Sequence, residues 1–287
     1  MELNQQHQQG QLDLRIIGDL IARPYKIGLY RFAPKVRVFI EKEEYVIKTA
    51  ENDFELEQAL RLRHEVFIFE ILGKKKLFGI DIDRYDMLCD HLLVIDKKTE
   101  QLVGTYRFNS DRYSDRFYSE MEFNLGTLMR KQGVKLEIGR ACIHKDYRGS
   151  NMMGLLWEGL YAYLGVLGAR YIFGCSSIQT TDPMDAARVH LAIRGENHAD
   201  DSMGIHPVKK YAIRNFTRFT QTAEMEGEDA LRRGRAILPR LIRDYFRFGA
   251  VICGEPALDM AFRCVDVFTI LDMSFLNNSY REERFTK

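Results

Sequence analysis

Apolar positions along this chain fall into two rhythms, and their alternation sets out most of a fold. Short apolar runs bounded by turn residues predict strands over 45–49, 91–96, 102–108, 136–143, 171–176, 250–253 and 265–271. Between them lie stretches of helical spacing. One runs over 53–69, with Asp53 as its cap and Leu56, Leu60, Val66 and Phe67 on one face; a second begins at Met152. A third spans 183–193, with Asp182 as N-cap and Pro183 at the first helical position. The turn Lys97-Lys98-Thr99-Glu100 joins two strands into a hairpin, 74–90 reads as a charged loop, and 195–245 is polar and helical in composition. Strands and helices in this order predict a mixed α/β (α+β) fold, a mostly antiparallel central sheet flanked by helices, with no internal repeat.

Length and composition narrow the class. At 287 residues, with 46% hydrophobic and 29% charged, the chain reads as an ordinary globular protein, one domain with extensions. We divide it into a basic N-terminal arm over 1–44 and a domain over 45–287 carrying the helical insertion at about 195–245. Lys and Arg (42) nearly cancel Asp and Glu (41), so overall charge gives no argument for nucleic acid. Five cysteines form no C-x-x-C pair and read as reduced and structural. The polar, Gln-rich start lacks the apolar core of a secretory signal, and 152–169 is broken by Glu158 and several glycines, which favours a buried helix over a membrane span. The expected location is the cytoplasm, with peripheral attachment to the inner face of the membrane as the alternative use of the basic arm.

Candidate chemistry concentrates in one strand–turn–helix unit. The strand carries Glu137-x-x-Arg140, and the turn Arg148-Gly149-Ser150-Asn151 leads into a helix starting at Met152. Backbone N–H groups at such a helix start bind phosphate, and Gly149 lets the chain approach closely. Glu137 suits a general base that takes a proton from an amine nucleophile, directly or through water, with burial raising its pKa. A structural ion pair with Arg140 is the competing reading. On a regular strand, positions three apart face opposite ways, so the two residues serve one cleft only if the strand bulges near Gly139.

The sequence resembles the GNAT-type N-acetyltransferase superfamily, through Leu62-Arg63-x-x-Val66-Phe67, Asp83-x-x-Asp86, Val103-Gly104-Thr105-Tyr106-Arg107 and Glu137-x-x-Arg140. Within it, two relatives share this pattern: acyl-homoserine-lactone synthases, and ornithine-lipid-forming acyl-carrier-protein N-acyltransferases with related N-acyl amino acid synthases. The C-terminal third resembles the second group, through Leu238-Pro239, Tyr245-Phe246-Arg247-Phe248-Gly249-Ala250, Gly254-Glu255-Pro256-Ala257-x-Asp259, Asp266 and Tyr280-x-x-x-x-Phe285. The resemblance implies transfer of a long, 3-hydroxylated acyl group from the 4'-phosphopantetheine thioester of acyl-carrier protein to the α-amine of ornithine. It implies no permanently bound cofactor and leaves a coenzyme A thioester as the other donor. Glycine or another amino acid, homoserine-lactone synthesis, or a non-catalytic carrier-protein or lipid-binding module are the rival readings.

Roles follow for further residues. Arg148, Gly149, Ser150, Asn151 and Met152 would hold the donor, although the acetyltransferase pattern Arg/Gln-x-x-Gly-x-Gly/Ala is not met here, which favours a pantetheine arm over a full pyrophosphate cradle. Arg63 and Arg107 would receive the amino acid's carboxylate, and Asp83 and Asp86 a cationic side chain. An acidic carrier protein would dock on basic residues, for which Lys209, Lys210, Arg214, Arg240 and Arg243 are candidates. The seven scattered histidines show no ligand spacing, so no metal site is expected, and the absence of Gly-x-Ser-x-Gly argues against a serine acyl-enzyme.

Overall fold

The computed structural model describes residues 32–149 and 151–275. Most of the basic arm, Ser150, Tyr280 and Phe285 therefore lie outside the described residues. The strands in chain order are β1 (Phe39–Glu41), β2 (Tyr45–Thr49), β3 (Asp90–Asp96), β4 (Leu102–Ser110), β5 (Phe123–Asn124), β6 (Val134–Ile143), β7 (Ala169–Ile178), β8 (His206–Pro207), β9 (Val251–Asp259) and β10 (Cys264–Asp272). Eight of them form one sheet in the order β1-β2-β3-β4-β6-β7-β10-β9, while β5 and β8 pair separately. Every ladder in the large sheet is antiparallel except β6–β7.

The helices are α1 (Asp53–Arg63), α2 (Gly126–Arg130), α3 (Met152–Leu167), α4 (Pro183–Gly195), α5 (Phe216–Glu226), α6 (Glu228–Ile237) and α7 (Arg240–Arg247). At α4, Asp182 accepts from Met184 N–H at 2.9 Å and Pro183 stands at the start, as the sequence predicts. At α1 the cap is one residue earlier than expected: Asn52, held in an extended conformation, accepts from Glu55 N–H at 3.0 Å. The helix also widens after Arg63 into a π-helical segment, His64–Ile71.

Alternation along the strands divides the core into two faces. Ile172, Tyr106, Phe108 and Leu136 pack with Met152, Leu156 and Tyr163 of α3 on one face. Phe173, Phe268 and Ile270 pack on the other with Phe117 and Phe123 from the segment between β4 and β6. Glu158 on α3 pairs with Lys42 at 2.6 Å, and no helix among the described residues is long and apolar enough to cross a membrane. The arm boundary at 44 needs correction: Phe32, Val36 and Val38 are buried in the core, and β1 pairs with β2, so residues from 32 onward belong to the sheet.

Candidate active site

Strands β6 and β7 pair in parallel from Val134↔Ala169 to Glu137↔Phe173, and there the ladder ends although both strands continue. At this point the backbones come very close: a Cβ on Gly174 would lie 2.2 Å from the Ile138 carbonyl oxygen, so only glycine fits. Beyond it a cavity of about 290 Å³ opens, lined by Ile138–Ala141 of one strand and Gly174–Ser177 of the other.

A bulge aims β6 at this cavity. Arg107 opposes Gly139 while Thr105 opposes Cys142, so two steps on β4 match three on β6, and Arg140 takes the left-handed φ of 55°. The extra residue reverses the facing of everything after it. Arg140 thereby reaches the same face as Glu137, where both line the cavity.

The cavity's walls differ in character. On the α3 face they are Ile172, Leu271 and Met273 with Trp157, Leu160 and Leu164, closed over by α7 through Leu241, Ile242, Tyr245 and Phe248. Phe248 meets Trp157 edge-on at 4.5 Å, and the Tyr245 hydroxyl lies 2.5 Å from that of Tyr106. On the opposite face the walls are polar: Tyr118, Ser119, Glu122, Glu137, Arg140, Cys175, Asp259 and Asp266.

Glu137 is buried, and both its oxygens accept backbone N–H groups, from Tyr118 at 2.8 Å and Ser119 at 2.7 Å. It therefore anchors the turn Tyr118–Met121 while each oxygen keeps a second lone pair. Burial pushes the carboxyl up and these donors pull it partly back, leaving it above the ordinary range, the direction a base needs. Arg140 lies between the rings of Tyr118 and Phe262, 4.7 and 4.6 Å from their centroids. Its Nε stands 3.7 Å from Asp81 but has no hydrogen-bond partner among the described residues.

The residues expected to bind the amino acid, Arg63, Arg107, Asp83 and Asp86, engage one another. Arg63 is fully buried and holds Asp86 at 2.6 Å and Asp81 at 2.9 Å, while Arg107 holds Asp83 at 2.7 Å and Asp86 at 2.9 Å. Arg140 adds a longer contact to Asp83 at 3.5 Å. These groups saturate one another and fasten the 74–90 loop to the sheet, so neither Arg63 nor Asp86 offers an exposed atom to a substrate. Burial pushes Asp81 up, but the charges of Arg63, Arg140 and Lys76 outweigh it and bring the carboxyl down to about 2.

The turn before α3 has the expected backbone and a different use of side chains. Gly149 takes φ 88°, and the first bond of α3 runs from Leu155 N–H to Asn151 C=O, so the N–H groups ahead of it have no partner within the helix. Arg148, however, pairs with Glu70 at 2.7 Å, and the Met152 side chain is buried in the core.

Residues 62–158 match the acetyltransferase (GNAT) domain family. The chain is 31% identical over 252 residues to the L-ornithine N(alpha)-acyltransferase of Rhizobium meliloti, across 81% of this chain and 81% of the relative. The chain belongs to the L-ornithine N(alpha)-acyltransferase family. The Rhodobacter capsulatus member is 29% identical over 252 residues, across 83% of this chain and 93% of that one. Among solved structures, a CoA-dependent acyl-homoserine lactone synthase with SAM and isopentyl-CoA overlaps 80% of this chain and 82% of its own at 15% identity and a TM-score of 0.42. A likeness that loose carries no argument about the site.

In this acyltransferase, Lys209, Lys210, Arg214, Arg240 and Arg243 are all exposed, the first three on the loop before α5 and the last two on the outer side of α7. Sequence reasoning missed Glu122, and it quoted Asp259 and Asp266 for the resemblance without giving them roles. A signal existed for Asp266, an acid inside the apolar run Cys264-Val265-Asp266-Val267-Phe268. Burial pushes both Glu122 and Asp266 up, and the charges of Asp266 and Asp259 push Glu122 further.

Proposed function

We propose that this enzyme transfers a long, 3-hydroxylated acyl group from the phosphopantetheine thioester of acyl-carrier protein to the α-amine of L-ornithine, giving lyso-ornithine lipid. The single observation that carries this reading is the cavity at the β6/β7 parting, which has an apolar wall on one face of the sheet and an acidic wall on the other. The apolar wall suits an acyl chain, the acidic wall a cationic amino acid, and their junction lies at Glu137 and Arg140. Glu137 takes the proton from the α-ammonium, directly or through water, and the freed amine attacks the thioester carbon. Arg140 Nε donates to the developing oxyanion, and collapse expels the pantetheine thiolate. The N–H groups at the start of α3 would hold the arm's phosphate.

Lys209, Lys210, Arg214, Arg240 and Arg243 are the docking surface we assign to the acidic carrier protein. Because the product is a lipid, we place the enzyme in the cytoplasm, working at the inner face of the membrane. Incubation with acyl-carrier-protein and coenzyme A thioesters against a panel of amino acids, read by mass spectrometry, tests donor and acceptor together. Acyl-ornithine from the carrier-protein donor is the expected product; acylglycine in its place overturns the acceptor. Glu137→Gln should lower turnover at least ~100-fold, and an unchanged rate removes Glu137 as base.

A further inference from the structure

The acidic wall holds three buried carboxyl groups, of which Glu122 and Asp266 are hydrogen-bonded to each other. Among the described residues, no Lys or Arg comes within ion-pair range of Glu122, Asp259 or Asp266, although all three are buried. Asp259 and Asp266 lie together with Cys264, their ligand atoms within 4.8 Å of one another. Some of their capacity is used: Asp259 accepts from Ala261 N–H at 2.7 Å and Phe262 N–H at 3.3 Å, and Asp266 accepts from the Ser177 hydroxyl at 2.5 Å.

Glu122 supplies a second observation from a different part of the chain. It is 1% exposed and lines the same cavity, and apart from the Asp266 carboxyl its Oε2 has no hydrogen-bond partner among the described residues. A buried carboxylate oxygen without a donor is costly unless something brings one. What fits is a group with several N–H donors and a positive charge, small enough for the chamber. An ammonium has three such donors, and charge-assisted N–H···O contacts of ~2.8 Å suit acceptors spaced as these are.

We propose that Glu122, Asp259 and Asp266 form the subsite for the terminal ammonium of a diamino-acid acceptor, so that the enzyme selects its amine substrate through the second cationic group. This rests on the acyltransfer reading above and adds to it the residues that recognise the acceptor. The α-amine lies toward Glu137 while the side chain extends toward Asp266. A divalent cation is a poorer occupant: the Cys264 Sγ donates to Asp266 at 3.4 Å, and burial pushes this thiol up, so it is held protonated and is a weak metal ligand.

The test compares L-ornithine with L-norvaline, the same carbon chain without the terminal amine, using the full-length enzyme and an acyl-carrier-protein thioester. The native enzyme should favour ornithine by at least ~100-fold in kcat/KM, since a site built to bind a polar group rejects the analogue lacking it. Glu122→Gln and Asp266→Asn, each checked for folding by thermal melting, should cut that preference at least ~10-fold through the KM for ornithine. Equal use of both amino acids by the native enzyme overturns the subsite without any variant being needed. So does a preference unmoved in both folded variants, or a bound divalent ion whose removal by EDTA abolishes ornithine use. If no amino acid at all is acylated, the acyltransfer reading itself falls and takes the subsite with it.

Discussion

Two clusters of buried charge lie on the same face of the sheet, and they are opposites. In one, Arg63, Arg107 and Arg140 meet Asp81, Asp83 and Asp86, and nearly every donor has an acceptor. In the other, Glu122, Asp259 and Asp266 face the cavity with no ion-pair partner among the described residues, and Glu122 and Asp266 have mainly each other. The first is complete without a ligand and fastens a loop; the second is complete only with one. Matched buried charge is architecture, whereas unmatched buried charge in a cavity points to a missing partner.

Breaking the matched cluster should give the largest effect. Arg63→Met strands two buried carboxylates and should cost roughly 3–5 kcal/mol in urea unfolding; a loss below about 1 kcal/mol would mean that the network contributes little. Acid comes next. Because Asp81 is held at about 2, below its ordinary unfolded value of ~3.9, its contribution is present above that unfolded value and lost as pH falls toward 2. Stability should drop by about 2 kcal/mol across this window, and in Asp81→Asn the dependence should flatten. The smallest change in stability should come from the unmatched cluster. Glu122→Gln removes a carboxyl whose charged form burial disfavours, so it should leave the unfolding free energy unchanged or raised by no more than ~1 kcal/mol, while ornithine use falls. A strongly destabilised Glu122→Gln would erase the contrast.

Periodicity exposed the strands of the sheet and the helices at 152 and 183 because each obeys a local rule. It could not expose β1, three residues long, or the pairing of β5 with β8, since neither carries enough residues for a pattern. The same limit governed the site. Glu137, Gly139 and Arg140 stood out because chemistry and spacing conflicted there, and the bulge that resolves the conflict is present in β6. For Arg63, Arg107, Asp83 and Asp86 the sequence shows each charge but not that their partners include one another. Glu122 and Asp266 are 144 residues apart and become neighbours only when β10 lies beside β7, so no local signal could join them.

The bulge has one more consequence. Strand β6 is out of phase with itself: before Arg140 its even-numbered residues pack on the α3 side of the sheet, and after it the odd-numbered ones do. Were β6 to pair along β4 as a regular strand with all its residues kept, Arg140 would stand three positions from Glu137 and its guanidinium would turn toward the apolar wall. The extra residue in the ladder is therefore what brings the acid and the guanidinium, three positions apart in sequence, to one cleft.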